Sequence, residues 1–168
     1  MIQICAWCRS EMRRLADSGS SESDISHGIC KTCFDNIRFQ EGVPLGEYLD
    51  SLPAPVYLVN SEGVVTGVNR AACKALGKDP DKIVSNLGGD VFECAFARLP
   101  EGCGRTVHCS GCTIRRAVMT TFETGKPQSR VSTVLNYGEA NEPTQIPLTI
   151  TTVKIDSVIL LRVDEMAR

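Results

Sequence analysis

The sequence predicts an α+β protein in two parts, an antiparallel sheet with helices on one face preceded by a small cysteine-stapled module. Three observations carry this. Two C-x2-C pairs fall within the first 33 residues, separated by a polar stretch. From residue 56 onward, apolar periodicity reads strand, strand, short helices, longer helix, then three strands, the order of an antiparallel sheet with segregated helices. The nine cysteines fall into two groups of four with Cys73 alone.

Residues 1–40 form the first part. "CAWC" and "CKTC" place Cys5, Cys8, Cys30 and Cys33 as two pairs, and "DSGSSESD" (17–24) between them has no apolar period and reads as loop. A segment this short cannot bury enough apolar surface to fold unaided, so a staple is expected. Residues 41–50, "EGVPLGEYLD", read as a connector or short helix, and 51–168 as the main domain. "VYLVN" and "VVTGVN" make a hairpin turning at Gly63. Asn69 caps the short helix "RAACKAL", which Gly77 ends. "DPDKIVSNL" starts a helical turn with Pro80 early, where its missing N–H does no harm. Residues 94–112 lack a clean period. Ile114, Ala117, Val118, Thr121 and Phe122 share one helical face, with Arg115 and Arg116 off it, so 113–124 should be an amphipathic helix stopped by "GKP". "SRVSTVLNY", "QIPLTITTVKI" and the continuous apolar run "SVILLRV" complete the sheet.

Composition excludes several function classes. A chain of 168 residues holds one ordinary domain plus something small. The net charge of −2 gives no positive field for phosphate backbones, and neither half is a basic arm, so no nucleic acid partner is expected. No apolar run approaches eighteen residues and no leader segment follows Met1, so no membrane association and a cytoplasmic location are expected. In a reducing compartment, cysteines at these spacings favour metal or redox chemistry over structural disulfides.

Residues 51 to about 166 resemble a PAS domain. "LPAPVYLVNSEGVVTGVNRAACKALGKDPDKIV" is similar to that family's opening, with Asn69, Ala71, Ala72, Leu76 and Gly77 at the matching places. The resemblance implies a five-stranded antiparallel sheet in order 2-1-5-4-3 with helices on one side. Where many members carry glycine after the "DKIV" turn, this chain has Ser85. The stretch from "GDVFECAFA" through "GCGRTVHCSGCTIRRAV" resembles a cysteine-bearing subgroup of PAS domains in bacterial sensor kinases and related signalling proteins. "ICAWC" with "SHGICKTC" resembles a short zinc-ribbon-like module that accompanies such proteins.

Four soft ligands from two C-x2-C pairs fit a structural zinc site at Cys5, Cys8, Cys30 and Cys33. His27 is expected only to shape the turn with Gly28, and Trp7 to cover the site or pack on the neighbouring domain. The second group, Cys94, Cys103, Cys109 and Cys112, is spaced x8, x5 and x2 within the cysteine-rich loop 94–112. Gly102, Gly104 and Gly111 let its backbone curl and point N–H groups inward, and the following helix N-terminus favours thiolates. These residues fit an iron-sulfur cluster or a second zinc, and the spacing does not separate the two. A reversible disulfide and four merely buried cysteines are the competing readings. Covalent haem is set aside, because Thr113 stands where the histidine of C-x2-C-H would be; non-covalent haem would need His108, which reads as a polar loop residue. Cys73 should sit in the core.

No nucleophile elbow, phosphate loop or kinase motif is present, so no enzyme activity is expected. The expected role is sensory or regulatory in bacterial signal transduction, with the loop sensing redox state, oxygen or metal and passing the change through the 113–124 helix and the last strand to "DEMAR". Ending there, the chain implies a signalling partner such as a histidine kinase or other output domain, or a longer protein. The resemblance also implies a homodimer. The alternatives are a zinc-stabilised interaction scaffold and a thiol oxidoreductase.

Overall fold

In the computed structural model, the described residues are 2–6, 8–14, 25–28, 30, 32–33 and 45–167. Trp7, the 17–24 segment and the His27 side chain lie outside them.

Three short strands, β1 (Ile2–Cys5), β2 (Glu11–Arg14) and β3 (Ile25–Gly28), form a small sheet in order β2-β1-β3. β1 runs antiparallel to β2 and parallel to β3. At four residues each, these strands are too short for alternation to reveal them, and the sequence reading assigned none here.

The main sheet contains β4 (Val56–Val59), β5 (Val65–Val68), β6 (Gln128–Tyr137), β7 (Thr144–Ile155) and β8 (Val158–Met166), with order β5-β4-β8-β7-β6. Every pairing is antiparallel, the arrangement the sequence resemblance implies. β4 reads as a continuous apolar run because all four residues are buried, covered on both faces. On one face Tyr57, Val59, Ile150, Ile159, Leu161 and Val163 pack under the helices that follow β5. On the other, Val56, Leu58, Val153 and Leu160 are covered by Leu49 of α1 (Leu45–Ser51), so the described part of the expected connector is helical and lies across the opposite face, while residues 41–44 lie outside the described residues.

Asn69 does more than cap α2 (Arg70–Leu76). Fully buried, its Oδ1 accepts from Ala72 N at 2.9 Å and from Val56 N at 3.0 Å. Its Nδ2 donates to Leu49 O and Ala54 O, each at 2.9 Å. One amide therefore ties α1, β4 and α2 together. Gly77 closes α2 in the left-handed region. Pro80 opens a 3-10 turn, Pro80–Lys82, as its fixed φ allows.

α3 spans Gly88–Val91, and the aperiodic stretch after it resolves into two 3-10 turns, Ala95–Arg98 and Val107–Gly111. α4 spans Thr113–Thr124, with Cys112 as its N-cap and Gly125 as its left-handed terminus. It buries Ala117, Val118 and Thr121 against the sheet, and Thr121 Oγ1 meets Thr152 Oγ1 at 2.7 Å in a fully buried pair.

Candidate functional site

Two sets of thiols could carry chemistry, and they are built differently. In the N-terminal module, β1 delivers Cys5 at its end, and a turn with Arg9 in the left-handed region brings Cys8 back beside it. Cys30 and Cys33 arrive after β3. The four sulfur atoms lie within 4.8 Å of one another, with Cys8 Sγ and Cys30 Sγ 3.7 Å apart. A tetrahedral ion with metal–sulfur bonds of about 2.3 Å requires ligand-to-ligand edges of about 3.8 Å. The set therefore could hold a metal ion with little rearrangement.

Backbone N–H groups point at these sulfurs, Cys30 N to Cys5 Sγ at 3.4 Å, Cys33 N to Cys30 Sγ at 3.3 Å and Cys8 N to Cys5 Sγ at 3.5 Å. Such donors offset the charge that four thiolates place on a divalent ion. The Ser10 side chain, helped by its backbone, lowers the Cys8 thiol to about 6. Burial, reinforced by Cys30 and Cys8, pushes the Cys33 thiol far up. One exposed, readily ionised thiol and one buried, reluctant thiol give the site an open and a closed side.

The second set belongs to the main domain. Cys94, Cys103, Cys109 and Cys112 all line one space of about 840 Å³ beneath α4, beside Phe92, Val118, Met119, Leu135, Leu148 and Leu161. β6 is an edge strand, and the wall takes both its inner residues, Thr133 and Leu135, and its outer residues, Ser132 and Val134. The volume is thus that of an inner chamber together with a groove around the sheet edge. Among the described residues, Cys5, Cys8, Cys30 and Cys33 form the one group of three or more ligating side chains with all ligand atoms within 4.8 Å of one another. The later four line a common wall without being drawn onto a zinc-sized tetrahedron.

Their environments differ. Burial raises the Cys94 and Cys103 thiols. Burial opposes ionisation of Cys109 as well, but the Thr106 hydroxyl at 3.2 Å, the Gly104 N–H at 3.1 Å and the positive charge of Arg115 together hold it below the usual thiol range. Cys112 caps α4, its sulfur accepting from Arg115 N at 3.5 Å. Gly102 and Gly104 both have positive φ, which the curl of the loop requires. Gly111 has no positive φ and sits within a 3-10 turn.

His108 is exposed, its ring stacked on Phe96 with centroids 3.9 Å apart and planes 10° from parallel. Cys73 is half-buried and packs on the main core; burial first, then Asp50 and Asp79, raise its thiol. Two residues on the wall escaped the sequence reading. Gly89 approaches Cys103 so closely that an added Cβ would lie 2.6 Å from its sulfur. Arg115, placed off the apolar face by helical periodicity, lines the same space as the thiols. Its position three residues after the capping Cys112 was the available signal, since residues three apart are neighbours on a helix.

No curated protein matches the sequence. Solved structures similar to the chain include a domain of the sensory box sensor histidine kinase/response regulator from Geobacter sulfurreducens, at 16% identity, covering 71% of this chain and 89% of that one, with a TM-score of 0.47. The photoactive yellow protein domain from the sensor histidine kinase Ppr of Rhodospirillum centenum is 17% identical, over 74% of this chain and 96% of that one, with a TM-score of 0.46. The PAS domain from Bordetella pertussis BvgS is 11% identical, over 74% and 85%, with a TM-score of 0.47. The family profile described as the PAS fold matches residues 47–146, from within α1 to the start of β7 and across the whole cysteine-rich loop. With that match covering more than half its length, the chain belongs to the PAS fold family.

Proposed function

We propose that this chain is a sensory and regulatory PAS protein of bacterial signal transduction, with no catalytic role of its own, in which the thiol-lined chamber beneath α4 is the input site. The observation that carries this reading is that Cys94, Cys103, Cys109 and Cys112 all line one space, and that Cys112 caps the helix that packs across the sheet. Soft donors in this number suit an iron-sulfur cluster, and the spread of the sulfurs around the wall favours it over a second zinc. Such a centre supplies one-electron redox chemistry and sensitivity to oxygen. The N-terminal Cys5, Cys8, Cys30 and Cys33 hold structural zinc, in keeping with their compact geometry.

The protein's own residues provide the route outward. Cys112 begins α4, and Ala117, Val118 and Thr121 seat that helix on the sheet. Any shift of the loop is therefore felt at β7 and β8, and β8 leads to the C-terminal residues through which a partner such as a histidine kinase, or a second copy of this chain, would be engaged. No helix among the described residues is long and apolar enough to cross a membrane.

Iron, sulfide and zinc analysis of anaerobically purified protein, with its absorption spectrum, tests the proposal. The expected result is one zinc and iron with sulfide per chain, a brown colour that bleaches in air, and loss of the colour but not the zinc in Cys109→Ser. A colourless protein with two zinc ions per chain would support an interaction scaffold. Protein carrying no metal in the loop would overturn the reading.

A further inference from the structure

We infer that Arg115 is the charge-compensating residue of the loop thiols and couples their charge to the β4–β5 hairpin. This rests on the metal-binding reading of the loop.

The backbone and side chain of Arg115 address different thiols. Its N–H points at Cys112 Sγ at 3.5 Å, while its guanidinium lies across Gly104, the residue whose own N–H donates to Cys109 Sγ at 3.1 Å. A Cβ at Gly104 would stand 2.7 Å from Nη1, so the absence of a side chain there is what lets the cation settle over the loop. On its other side Nη1 approaches Gly63, in the β4–β5 turn, where an added Cβ would stand 3.4 Å away. Gly63 O accepts from Gly88 N at 3.0 Å, linking that turn to the start of α3. The guanidinium is thus wedged between the cysteine loop and the hairpin.

Among the described residues, no carboxylate pairs with Arg115. Glu165, also on the chamber wall, is engaged by Arg130 instead. Arg115 as a residue is partly buried, and a cation drawn out of water without an anionic partner calls for one nearby, because burying a charge unpaired is costly. Four thiolates around a divalent ion, or around an iron-sulfur core of the same charge, carry a net charge of about −2 and supply that partner. Backbone N–H groups and the N-terminus of α4 contribute partial charges to the same balance, whereas Arg115 contributes a whole one.

The test compares the full chain with Arg115→Gln, which removes the charge, and Arg115→Lys, which keeps it. If the loop holds iron and sulfide, a mediated redox titration with dithionite reads the centre directly. The reduced form is one charge more negative, so losing the cation should lower the reduced-to-oxidised ratio at a fixed potential by about tenfold, equal to a fall of 59 mV in midpoint for one electron. Arg115→Lys should stay within about threefold of wild type. If the loop holds zinc, the reading is chelator competition: about tenfold weaker retention of the loop ion in Arg115→Gln, with the N-terminal ion unchanged. A midpoint or affinity unaltered in Arg115→Gln, with the metal still bound, overturns this inference alone. Absence of metal from the wild-type loop overturns both it and the reading it rests on.

Discussion

Asn69→Ala should destabilise the main domain by about 4 kcal/mol, and the magnitude follows from which partners lose their only hydrogen bond. Ala72 N keeps a contact to Asn69 O at 3.1 Å, and Leu49 O still accepts from Leu52 N at 3.1 Å. Val56 N and Ala54 O have no such replacement among the described residues, and Leu52 O loses only a longer contact at 3.4 Å. Two orphaned backbone groups cost about 1–3 kcal/mol each, and the lost cap adds about 1 kcal/mol. Against a total stability of about 5–15 kcal/mol this is a large fraction. A chain of this size should then melt about 8–16 °C lower. Asn69→Asp sharpens the test. It preserves the acceptor but places a second carboxylate oxygen where Nδ2 now donates to three carbonyls, Leu49 O, Ala54 O and, at 3.4 Å, Leu52 O, so it should be no more stable than alanine. Urea unfolding followed by circular dichroism measures both. A loss under about 1 kcal/mol for Asn69→Ala, or native-like stability for Asn69→Asp, would refute the claim that this amide holds α1, β4 and α2 together.

Other perturbations have equally definite signs. Ser85 has φ of +69°, so Ser85→Gly should stabilise by about 1 kcal/mol, read as a higher denaturant midpoint with unchanged slope. Thr121→Val leaves the Thr152 hydroxyl buried without this partner and should cost about 1–3 kcal/mol; the double replacement by valine should cost less than the sum of the two single changes, a coupling that a double-mutant cycle reads. The Lys78 side chain, helped by Tyr137, holds Glu93 below its ordinary range. Its stabilising contribution is therefore present above the unfolded pKa and lost as pH falls through the folded one, and Glu93→Gln should flatten stability against pH on the acid side of about 4.3. If Cys5, Cys8, Cys30 and Cys33 hold the proposed zinc, chelator treatment should unfold that module while the sheet signal of the main domain persists; Cys33→Ser should mimic it, and a module spectrum unchanged by either would count against a structural metal there.

Sequence reached the main domain because its signals are local and mutually consistent. The 113–124 helix was legible from one apolar face and a glycine stop, and both ends fall where predicted. The five strands were legible as alternating or continuous apolar runs, but their order was not, since pairing β4 with β8 joins segments about a hundred residues apart. That order came from resemblance. The Asn69 cap was visible, whereas its bonds to Leu49 and Ala54 depend on how α1 folds back over the sheet. Ser85 was noticed as a departure from glycine, and its positive φ gives the physical reason glycine suits the bend. In the loop, cysteine spacing identified the chemistry-bearing residues but not their separations. Helical periodicity placed Arg115 off the apolar face, and α4 does not bury it there, but sorting residues by apolar face cannot show that a chamber at the foot of a helix gives a polar residue a second inward direction.

The two cysteine groups also differ in what holds them, and that difference bears on their roles. The first is gathered onto one point at the end of β1 and after β3, with three backbone donors on its sulfurs. With so little apolar surface nearby, a metal held there would contribute mainly to folding. The second is carried by a loop already anchored at both ends. Cys94 N is held by Gly89 O at 2.7 Å and Cys112 is fixed as the cap of a 12-residue helix, while Cys103 and Cys109 lie on the glycine-rich span between. The main core is built from Tyr57, Ile83, Ile150, Ile159 and their neighbours, and of the four loop cysteines Cys94 alone packs against it. A centre bound there can change charge without dissolving the fold, while each displacement of Cys112 or Arg115 reaches the sheet through α4. Stability that does not depend on the centre, together with a rigid lever attached to it, is the physical combination a sensor needs and a structural staple does not.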